Sequence, residues 1–488
     1  MDSIFSQIYS EKVLEHVRHP RNLGEIKNAD AVATVGNRRC GDVMRLYLKV
    51  KNNRIADIKF QTLGCLPYNE EIVIPSGHWM AIGSLQEKME VLNGEKESSI
   101  IIKKFKKDYN GKLLTIIPFV SPFNAFTVTP NHPIFTIKRD SLKKTRKSSH
   151  KCDLLRVDER EFTDKSPEYV QAKALKIGDY LIFPFKKEKK DKKIFTDNLM
   201  KLLGYYLAEG YITAGSVVNF SFNRNERKYI DEVSSLVFEI TGKKTSERTR
   251  ENVTEIRFCS KKWADFFYLH CCRLARKKNL SKLILQLPFK KQWIMVRTFL
   301  AGDGDVYKRR PNNSETYRAI TASKLLAIQI QEILARGGIF ASIRKIFKTN
   351  CFIDGRRLKD SIQYLISFKL KRNHKFVHEN EKYFLVPIRE IRNRNFSGKV
   401  YNFQVAFEPN SYLVRGFAVH NCGAAIATSS IITTMVKGKP LSEAEKITDQ
   451  AIVTALGGLP PAKLHCSLLA TDALKKAIAN YRKRLKKS

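Results

Sequence analysis

Four residues near the two ends of the chain could carry out acyl-transfer chemistry. Cys65 follows Gly64, and His420-Asn421 stands directly before Cys422. A thiol is a good nucleophile at neutral pH, so Cys65 could turn the Gly64–Cys65 amide into a thioester and Cys422 could then take over the acyl group. The side-chain amide of Asn421 could cyclise onto its own carbonyl and release Cys422, while His420 assists by proton transfer.

The segments before Cys65 and after Asn421 have the pattern of one protein that is interrupted by an insert. Joining Gly64 directly to Cys422 gives Gln-Thr-Leu-Gly-Cys-Gly-Ala-Ala-Ile-Ala-Thr-Ser-Ser, a strand that runs into a helix rich in small residues. Removal of the insert 65–421 leaves a short host that consists of the segments 1–64 and 422–488. An insert with these boundaries has the residue types at its two ends that self-splicing requires.

Residues 65–421 resemble an intein with a Hint splicing domain. The resemblance also rests on Thr127-Val-Thr129-Pro-Asn-His132, on the turn Lys176-Ile-Gly-Asp-Tyr and on Val400-Tyr401. It implies an all-β horseshoe in which His132 donates a proton to the departing amide nitrogen and Thr129 helps to hold that amide. An isolated histidine is more often a packed residue, so the complete set of motifs carries the assignment. Asn402 departs from the pattern, because many relatives have an acid there.

Two apolar segments inside the insert each end in an acid followed by a glycine. They span residues 202–210 and 299–304, and their acids are Glu209 and Asp303. The small residues Gly204 and Ala208 share one helix face, where they would let the two helices approach closely. Two facing carboxylates suit the hard Mg²⁺ ions that promote in-line phosphodiester hydrolysis.

This pairing resembles the two motifs of LAGLIDADG homing endonucleases. The resemblance implies an α/β unit that uses Mg²⁺ to cut double-stranded DNA, with Lys278 in a supporting role. Ser281 stands where relatives carry a proline, and the basic segments 344–348 and 368–372 are predicted as flanking strands. The alternative is two ordinary buried helices that end in acid–glycine turns.

The joined outer segments resemble the IscU/NifU-type iron–sulfur cluster assembly scaffold over essentially their full length. The matching residues are Arg39-Cys40-Gly41-Asp42, Gly64 joined to Cys422-Gly-Ala-Ala, and Leu459-Pro-Pro-Ala-Lys463-Leu-His465-Cys466. The resemblance implies an α+β fold with a small antiparallel sheet and a labile cluster site. In that site Cys40, Cys422 and Cys466 hold a [2Fe–2S] cluster or zinc, Asp42 aids release and His465 is an alternative ligand. The alternative is three inert buried thiols.

The same resemblance implies several partners for the host. These are a cysteine desulfurase, apo iron–sulfur proteins and an Hsp70-type chaperone that binds Leu459-Pro460-Pro461-Ala462-Lys463. Double-stranded DNA is expected as a partner of the insert alone. A second cysteine cluster, His270-Cys271-Cys272, is interpreted as core packing because no second ligand pair follows at zinc spacing.

Charge and composition agree with this division. Lys+Arg 88 against Asp+Glu 48 gives a net charge of +40, which attracts polyanions. The outer segments contribute 22 basic and 11 acidic residues, so most of the excess belongs to the insert.

No apolar run is long enough to predict a membrane span, and the segment Met1–Pro20 lacks a signal-peptide pattern, so a cytoplasmic location is expected. Nine cysteines without a regular framework suggest reduced thiols.

The sequence therefore predicts a multidomain protein. The scaffold comprises residues 1–64 and 422–488, the splicing domain begins in 65–194, the endonuclease occupies 195–345, and residues 346–421 complete both inserted domains. Two other hypotheses are a splicing-defective chain that acts on DNA and a plain metal-binding structural protein, which leaves the insert boundaries unexplained.

Local patterns predict the elements that position these residues. The host is expected to begin with a helix through Val17, followed by a hairpin of residues 44–60. Short strands are predicted at residues 100–105, 113–120 and 180–185 of the insert. The final helix is predicted to bury a stripe of apolar residues: Leu468, Leu469, Ala473, Leu474, Ala477 and Tyr481.

Overall fold

The computed structural model describes most of the chain. It covers residues 9–36, 42–61, 64–142, 146–147, 155–188, 190–309, 314–350, 352–353, 356–357, 359–370, 376–406, 410–421 and 424–486. The predicted ligands Cys40 and Cys422 lie outside these residues, as does most of the basic loop at 143–151. Among the described helices, none has the length and apolar character needed to cross a membrane.

The chain begins with one helix and a three-stranded antiparallel sheet. The elements are α1 (Glu11–Arg18), β1 (Ala31–Gly36), β2 (Val43–Lys51) and β3 (Arg54–Gln61). Ser10 caps α1 by accepting a hydrogen bond from the backbone N–H of Val13. Asn52 and Asn53 adopt positive φ angles of 51° and 56° between β2 and β3. The predicted hairpin is therefore confirmed, with asparagines at the turn.

A series of strands of very different lengths follows. They are β4 (Leu66–Pro67), β5 (Glu71–Val73), β6 (Trp79–Ala81), β7 (Glu90–Leu92), β8 (Ser98–Pro118), β9 (Phe126–Val128), β10 (Pro133–Ile137), β11 (Arg146–Lys147), β12 (Leu155–Arg156), β13 (Glu168–Gln171) and β14 (Tyr180–Pro184). Single 3₁₀ turns occur at Pro122–Asn124, Arg139–Ser141, Glu159–Phe162 and Ala172–Ala174.

The next region combines helices with antiparallel strands. It contains α2 (Asp197–Glu209), β15 (Gly210–Thr213), β16 (Val217–Asn223), α3 (Arg227–Thr241), β17 (Ser246–Arg250), β18 (Val253–Cys259), α4 (Lys261–Cys271), α5 (Lys282–Leu285), α6 (Phe289–Asp303), β19 (Gly304–Arg309), β20 (Ser314–Thr321), α7 (Lys324–Arg336), β21 (Ser342–Lys348), β22 (Phe352–Ile353), β23 (Arg356–Arg357) and β24 (Ser361–Phe368). Two four-stranded sheets have equivalent orders, β15-β16-β18-β17 and β19-β20-β24-β21. This region is thus an internal repeat of a helix followed by a β-β-α-β-β unit.

One sequence prediction for this region needs correction. Of the predicted strand 368–372, Phe368 ends β24, Lys369 and Leu370 lie beyond it, and residues 371–372 lie outside the described part. The region combines helices and strands as expected, and every strand pair in the two sheets is antiparallel. The segment 344–348 does lie in a strand, β21.

A further set of strands then pairs with the earlier strands of the series β4–β14. These are β25 (His378–Glu379), β26 (Tyr383–Val405), β27 (Ser411–Val414) and β28 (Phe417–His420). They complete a 13-stranded sheet with the main order β6-β5-β27-β28-β10-β14-β26-β8-β7. The segments 100–105 and 113–120, predicted as separate strands, belong largely to the single strand β8. Its polar middle stays extended because β26 pairs along it from Ile101 to Pro118.

The chain ends in helices that cover the three-stranded sheet. They are α8 (Ala424–Val436), α9 (Leu441–Ala444), α10 (Asp449–Ala455) and α11 (Leu464–Leu485), after a 3₁₀ turn at Pro461–Lys463. Leu469, Leu474 and Ala477 of α11 are buried as predicted, whereas Leu468 is 49% exposed. Leu468 lies outside the stripe that contacts the sheet.

One core cluster is assembled from both outer segments of the chain, 1–64 and 422–488. Val13, Leu46 and Phe60 pack in one cluster with Ile426 and Leu474. The same cluster includes Cys65, Val400 and other residues of the insert. Cys65 therefore lies where the 13-stranded sheet packs against the core of the outer segments.

Candidate functional site

The peptide bond between Gly64 and Cys65 is held by two side chains. The Cys65 backbone N–H donates to Thr129 Oγ1 at 2.8 Å, and the Thr129 N–H donates to the Cys65 carbonyl at 2.9 Å. Thr129 Oγ1 in turn donates to Asn131 Oδ1 at 2.8 Å. On the other side of the bond, Asn402 Nδ2 donates to the Gly64 carbonyl oxygen at 2.7 Å. Both the amide nitrogen and the carbonyl oxygen thus have fixed partners.

The Cys65 thiol is buried beside a small cavity. Burial raises the pKa of this thiol, and the nearby Lys107 acts in the opposite direction. The cavity has a volume of about 210 Å³ and separates host residues from the long β8 strand. Its lining consists of Leu23, Gly24, Gln61, Cys65, Phe105, Lys106 and Lys107.

His132 packs directly against Gly64. A Cβ atom at position 64 would lie 2.1 Å from His132 Cα and 2.7 Å from Nδ1, so only glycine fits this backbone contact. The imidazole is fully buried, and burial lowers its pKa to about 3, with the Gly64 backbone opposing this effect and His420 adding to it. His132 is therefore neutral at pH 7 and can both accept and donate a proton through its two nitrogens.

His420 and Asn421, which precede the second predicted junction, lie near the first. Strand β10, directly after His132, pairs with β28 through Ile134 and Val419, so that His420 comes near His132. Asn421 follows β28 and is fully buried. Its backbone N–H donates to Asn410, whereas neither polar atom of its side chain has a hydrogen-bond partner among the described residues.

The predicted scaffold ligands that the structure describes form one cluster. One ligand atom each from Asp42, His465 and Cys466 lies within 4.8 Å of the other two. The Cys466 thiol donates to Asp42 Oδ2 at 3.2 Å, and His465 Nε2 lies 3.8 Å from the same oxygen. Burial acts to raise the pKa of Asp42, but contacts with His465, His420 and Lys463 lower it overall. This mixed set of sulfur, nitrogen and oxygen donors fits iron or zinc.

Asp42 also contacts His420, which the sequence assigns to the predicted splicing site. Its Oδ1 atom lies 3.6 Å from His420 Nε2, and both residues are almost completely buried. Sequence motifs do not reveal this contact, because they assign Asp42 and His420 to different sites. They also give Asn402 no role.

The two acids predicted for the nuclease come together at the ends of α2 and α6. A Cβ atom on Gly204 would lie 1.8 Å from Thr298 Oγ1, which shows how closely the helices pack, as predicted. Burial and the nearby Asp303 raise the pKa of Glu209 to about 7. Burial raises the pKa of Asp303 to about 6, while Lys278 acts to lower it. Such a pair favours a bound divalent cation over two free negative charges.

Lys278 is buried beneath the end of α2. Its Nζ atom donates to the carbonyl oxygens of Tyr206, Leu207 at 3.1 Å and Gly210 at 2.6 Å. Burial lowers the pKa of Lys278 to about 8, and the two acids act to raise it. The lysine thus satisfies carbonyl groups at the helix terminus. Ser281, which replaces the expected proline, caps α5.

The cluster His270-Cys271-Cys272 has the surroundings of a core element. Cys271 is buried, and His270 Nδ1 lies 2.7 Å from Ser281 Oγ. Within the described part of the chain, no group of three ligand-type side chains includes these residues.

Comparisons with known proteins identify two of the units. The NifU-like N terminal domain family matches residues 8–67 and 394–488, and the LAGLIDADG-like domain family matches residues 292–367. The iron-sulfur cluster assembly scaffold protein IscU 1 of Archaeoglobus fulgidus is 62% identical over 58 residues, which are 12% of this chain and 38% of that protein. An iron-sulfur cluster assembly SufBD family protein of Mycobacterium bovis is 30% identical over 380 residues, covering 76% of this chain and 44% of the relative.

The chain thus spans less than half the length of these two relatives. Among solved structures, variants of the homing endonuclease I-DmoI align with 38% of this chain and 88% of theirs, at 15% identity and a TM-score of 0.26. The two family matches show that the chain carries a NifU-like N-terminal domain in two parts, 8–67 and 394–488, with a LAGLIDADG-like domain between them.

Proposed function

We propose that the chain is a self-splicing precursor that excises residues 65–421 and joins Gly64 to Cys422. The main support is the arrangement around the Gly64–Cys65 bond, in which Thr129 accepts from the amide nitrogen and His132 packs against the Gly64 backbone. Acyl transfer requires a nucleophile, a group that moves a proton and a peptide bond that is held in place. The thiol, the neutral imidazole and the buried Gly64–Cys65 bond provide these three.

The first two steps transfer the Gly64 acyl group between thiols. The sulfur of Cys65 forms a bond to the Gly64 carbonyl carbon, and the carbon–nitrogen bond then breaks. The proton lost by the thiol ends on the departing nitrogen, and neutral His132 can relay it. The Cys422 thiol then displaces Cys65 from the acyl group.

The last steps release the insert. The side-chain nitrogen of Asn421 attacks the carbonyl carbon of the same residue, and the bond to Cys422 breaks. The absence of a hydrogen-bond partner for this amide among the described residues supports this role, because no protein contact must be broken before attack. His420 is the adjacent group for proton transfer, and the freed Cys422 amine converts the thioester into a peptide bond.

Intact-mass measurement after expression tests the proposal. The parent chain should yield a ligated product that contains only the segments 1–64 and 422–488, together with an excised fragment that spans 65–421. A Cys65→Ala, Asn421→Ala double variant should keep the mass of the full-length chain. Only intact protein from the parent chain would contradict splicing and favour the splicing-defective alternative.

We further propose that the ligated host is an iron–sulfur cluster assembly scaffold. The proximity of Asp42, His465 and Cys466 supports this role, with Cys40 and Cys422 as the other proposed ligands. The cluster is the cargo, received with a cysteine desulfurase and passed to apo proteins with help from an Hsp70-type chaperone at 459–463. Splicing should gate this activity because Cys422 is bonded to the insert beforehand. A Cys65→Ala, Asn421→Ala precursor that assembles clusters as well as the ligated host would disprove this gating.

A second proposed activity of the insert is Mg²⁺-dependent cleavage of double-stranded DNA. The convergence of Glu209 and Asp303 at two closely packed helix ends supports it. When bound, Mg²⁺ supplies positive charge that stabilises the phosphodiester transition state. A library of random DNA duplexes should contain sites that the Cys65→Ala, Asn421→Ala precursor cuts. Glu209→Gln should abolish this cleavage, whereas Glu239→Gln, an exposed acid on α3, should not. Equal cleavage by the Glu209→Gln variant would contradict the assignment.

A further inference from the structure

Asn402 donates a hydrogen bond to the carbonyl group of Gly64. It lies on β26, fully buried, and its Nδ2 atom donates to the Gly64 carbonyl oxygen at 2.7 Å. The two residues are 338 positions apart in the sequence. The pairing of β26 with the N-terminal part of the insert brings them together.

The orientation of the Asn402 amide is determined by its other partners. Its Oδ1 atom accepts from the backbone N–H of Phe403 at 2.8 Å and from the Tyr412 hydroxyl at 2.9 Å. A backbone N–H can only donate, so a flipped amide would place two donors against each other and two acceptors at Gly64. The side-chain N–H of Asn402 is consequently directed at the carbonyl oxygen.

This geometry suits the charge that develops in thiol addition. When sulfur bonds to the Gly64 carbonyl carbon, the π electrons of the carbonyl move to the oxygen, which becomes an oxyanion. The charge returns when the carbon–nitrogen bond breaks in the first step or the carbon–sulfur bond of Cys65 breaks in the second. A donor that is already fixed and buried stabilises such an oxyanion without reorganisation.

We propose that Asn402 is a catalytic residue that donates a hydrogen bond to the Gly64 oxyanion during both thiol additions. This inference rests on the proposed splicing reaction and adds a residue to it. An ionised acid at this position would place a carboxylate oxygen against the carbonyl oxygen in the same geometry. Asparagine instead places an N–H donor against the Gly64 carbonyl oxygen, so the interaction is favourable. Asn402 should have no corresponding role at Asn421, because it contacts the other junction.

Two half-reactions separate this role from a general effect on folding. An Asn421→Ala precursor reports cleavage at Gly64–Cys65 by added dithiothreitol, and a Cys65→Ala precursor reports cleavage after Asn421. Asn402→Ala should slow the first reaction by about 10²–10³-fold, the usual effect of losing one oxyanion donor. The second reaction should keep its rate. Equal losses in both reactions would overturn the proposal.

Asn402→Leu and Tyr412→Phe refine the test. The leucine variant keeps the branched shape of the side chain but has no hydrogen-bond donor, so it should be as slow as Asn402→Ala in dithiothreitol cleavage. Full activity of Asn402→Leu would overturn the proposal. Tyr412→Phe removes one donor to Oδ1 and should give a smaller loss, because Phe403 still orients the amide.

The hydrogen bond can also be measured without activity. Cys65 is the only cysteine that follows a glycine, so labelling glycine carbonyls with ¹³C and cysteine nitrogens with ¹⁵N produces a single carbonyl–amide NMR signal. In the Asn421→Ala precursor, Asn402→Ala should move the Gly64 carbonyl resonance upfield as the hydrogen bond is lost. An unchanged resonance would overturn the assignment. If the parent precursor neither splices nor reacts with dithiothreitol while this resonance does shift, the proposed splicing fails although the contact exists.

Discussion

The residues around the Gly64–Cys65 bond combine a buried nucleophile with a tightly fitted backbone. Thr129 and Asn402 hold the two polar atoms of the peptide bond, and His132 leaves no room for a side chain at position 64. The reactivity of Cys65 depends on how burial and neighbouring charge set its thiolate population. Each of these features can be changed by one substitution.

Gly64→Ala should slow thioester formation. The added Cβ would lie 2.1 Å from His132 Cα, so the histidine or the peptide bond must move. A displacement of about 1 Å from the reactive geometry can cost about 10²-fold in rate. Dithiothreitol cleavage of the Asn421→Ala precursor measures the effect. Gly36→Ala, whose Cβ would come no closer than 3.3 Å to Val43, should react like the parent. Equal rates for both variants would show that the contact is unimportant.

Lys107→Met should shift the pH dependence of the same reaction. Burial raises the pKa of Cys65 and Lys107 lowers it, so removal of the lysine charge raises that pKa further. The rising limb of the rate against pH should therefore move to higher pH. Lys106→Met is the matched control, because Lys106 lines the same cavity but is exposed. A profile that stays in place for Lys107→Met would contradict the role of its charge.

At the scale of elements, sequence patterns predict helices and strands better than they predict pairing. The hairpin of β2 and β3 is evident from alternation and a pair of asparagines. The polar middle of β8 gives no such signal, because its extended form depends on β26, which begins only at Tyr383. The contact of Asn402 with Gly64 has the same origin. Motifs predict the residue types that the reaction requires, whereas long-range pairing determines their partners.

The ends of α2 and α6 should make stability depend on pH and Mg²⁺. The pKa values of Glu209 and Asp303, about 7 and about 6, lie above the usual range of about 4. The folded state then binds protons more tightly than the unfolded state, so stability falls as the pH rises from about 4 to about 7. Glu209→Gln should raise the unfolding temperature at pH 8 and leave it nearly unchanged at pH 4.

Mg²⁺ provides the complementary measurement. At pH 8 both carboxylates are charged, and a bound cation offsets their repulsion. Mg²⁺ should therefore raise the unfolding temperature of the parent precursor but not that of Glu209→Gln. The control Glu239→Gln should retain the Mg²⁺ response. A response of equal size in all three proteins would place cation binding elsewhere.

At the scale of the whole molecule, the two outer segments are folded together while residues 65–421 are still part of the chain. Both outer segments contribute to one core, and Asp42 meets Cys466 across 424 positions of sequence. Residues 65–421 therefore separate Asp42 from His465 and Cys466 in the sequence, but these three side chains still lie together. Any control of host function by splicing must act on the junction itself, where Cys422 is bonded to Asn421, and not through unfolding of the host.

The position of Asp42 predicts that metal binding to the host slows the last splicing step. Asp42 contacts His465 and Cys466 through one oxygen and His420 through the other. A cation held by these three residues would place positive charge beside His420 and draw Asp42 away from it. Zn²⁺ should therefore slow cleavage after Asn421 in the Cys65→Ala precursor. His465→Ala and Cys466→Ser should weaken zinc binding and relieve this inhibition together. If measured zinc stoichiometry shows that the parent is loaded while cleavage keeps its rate, the two sites are independent despite their shared residue.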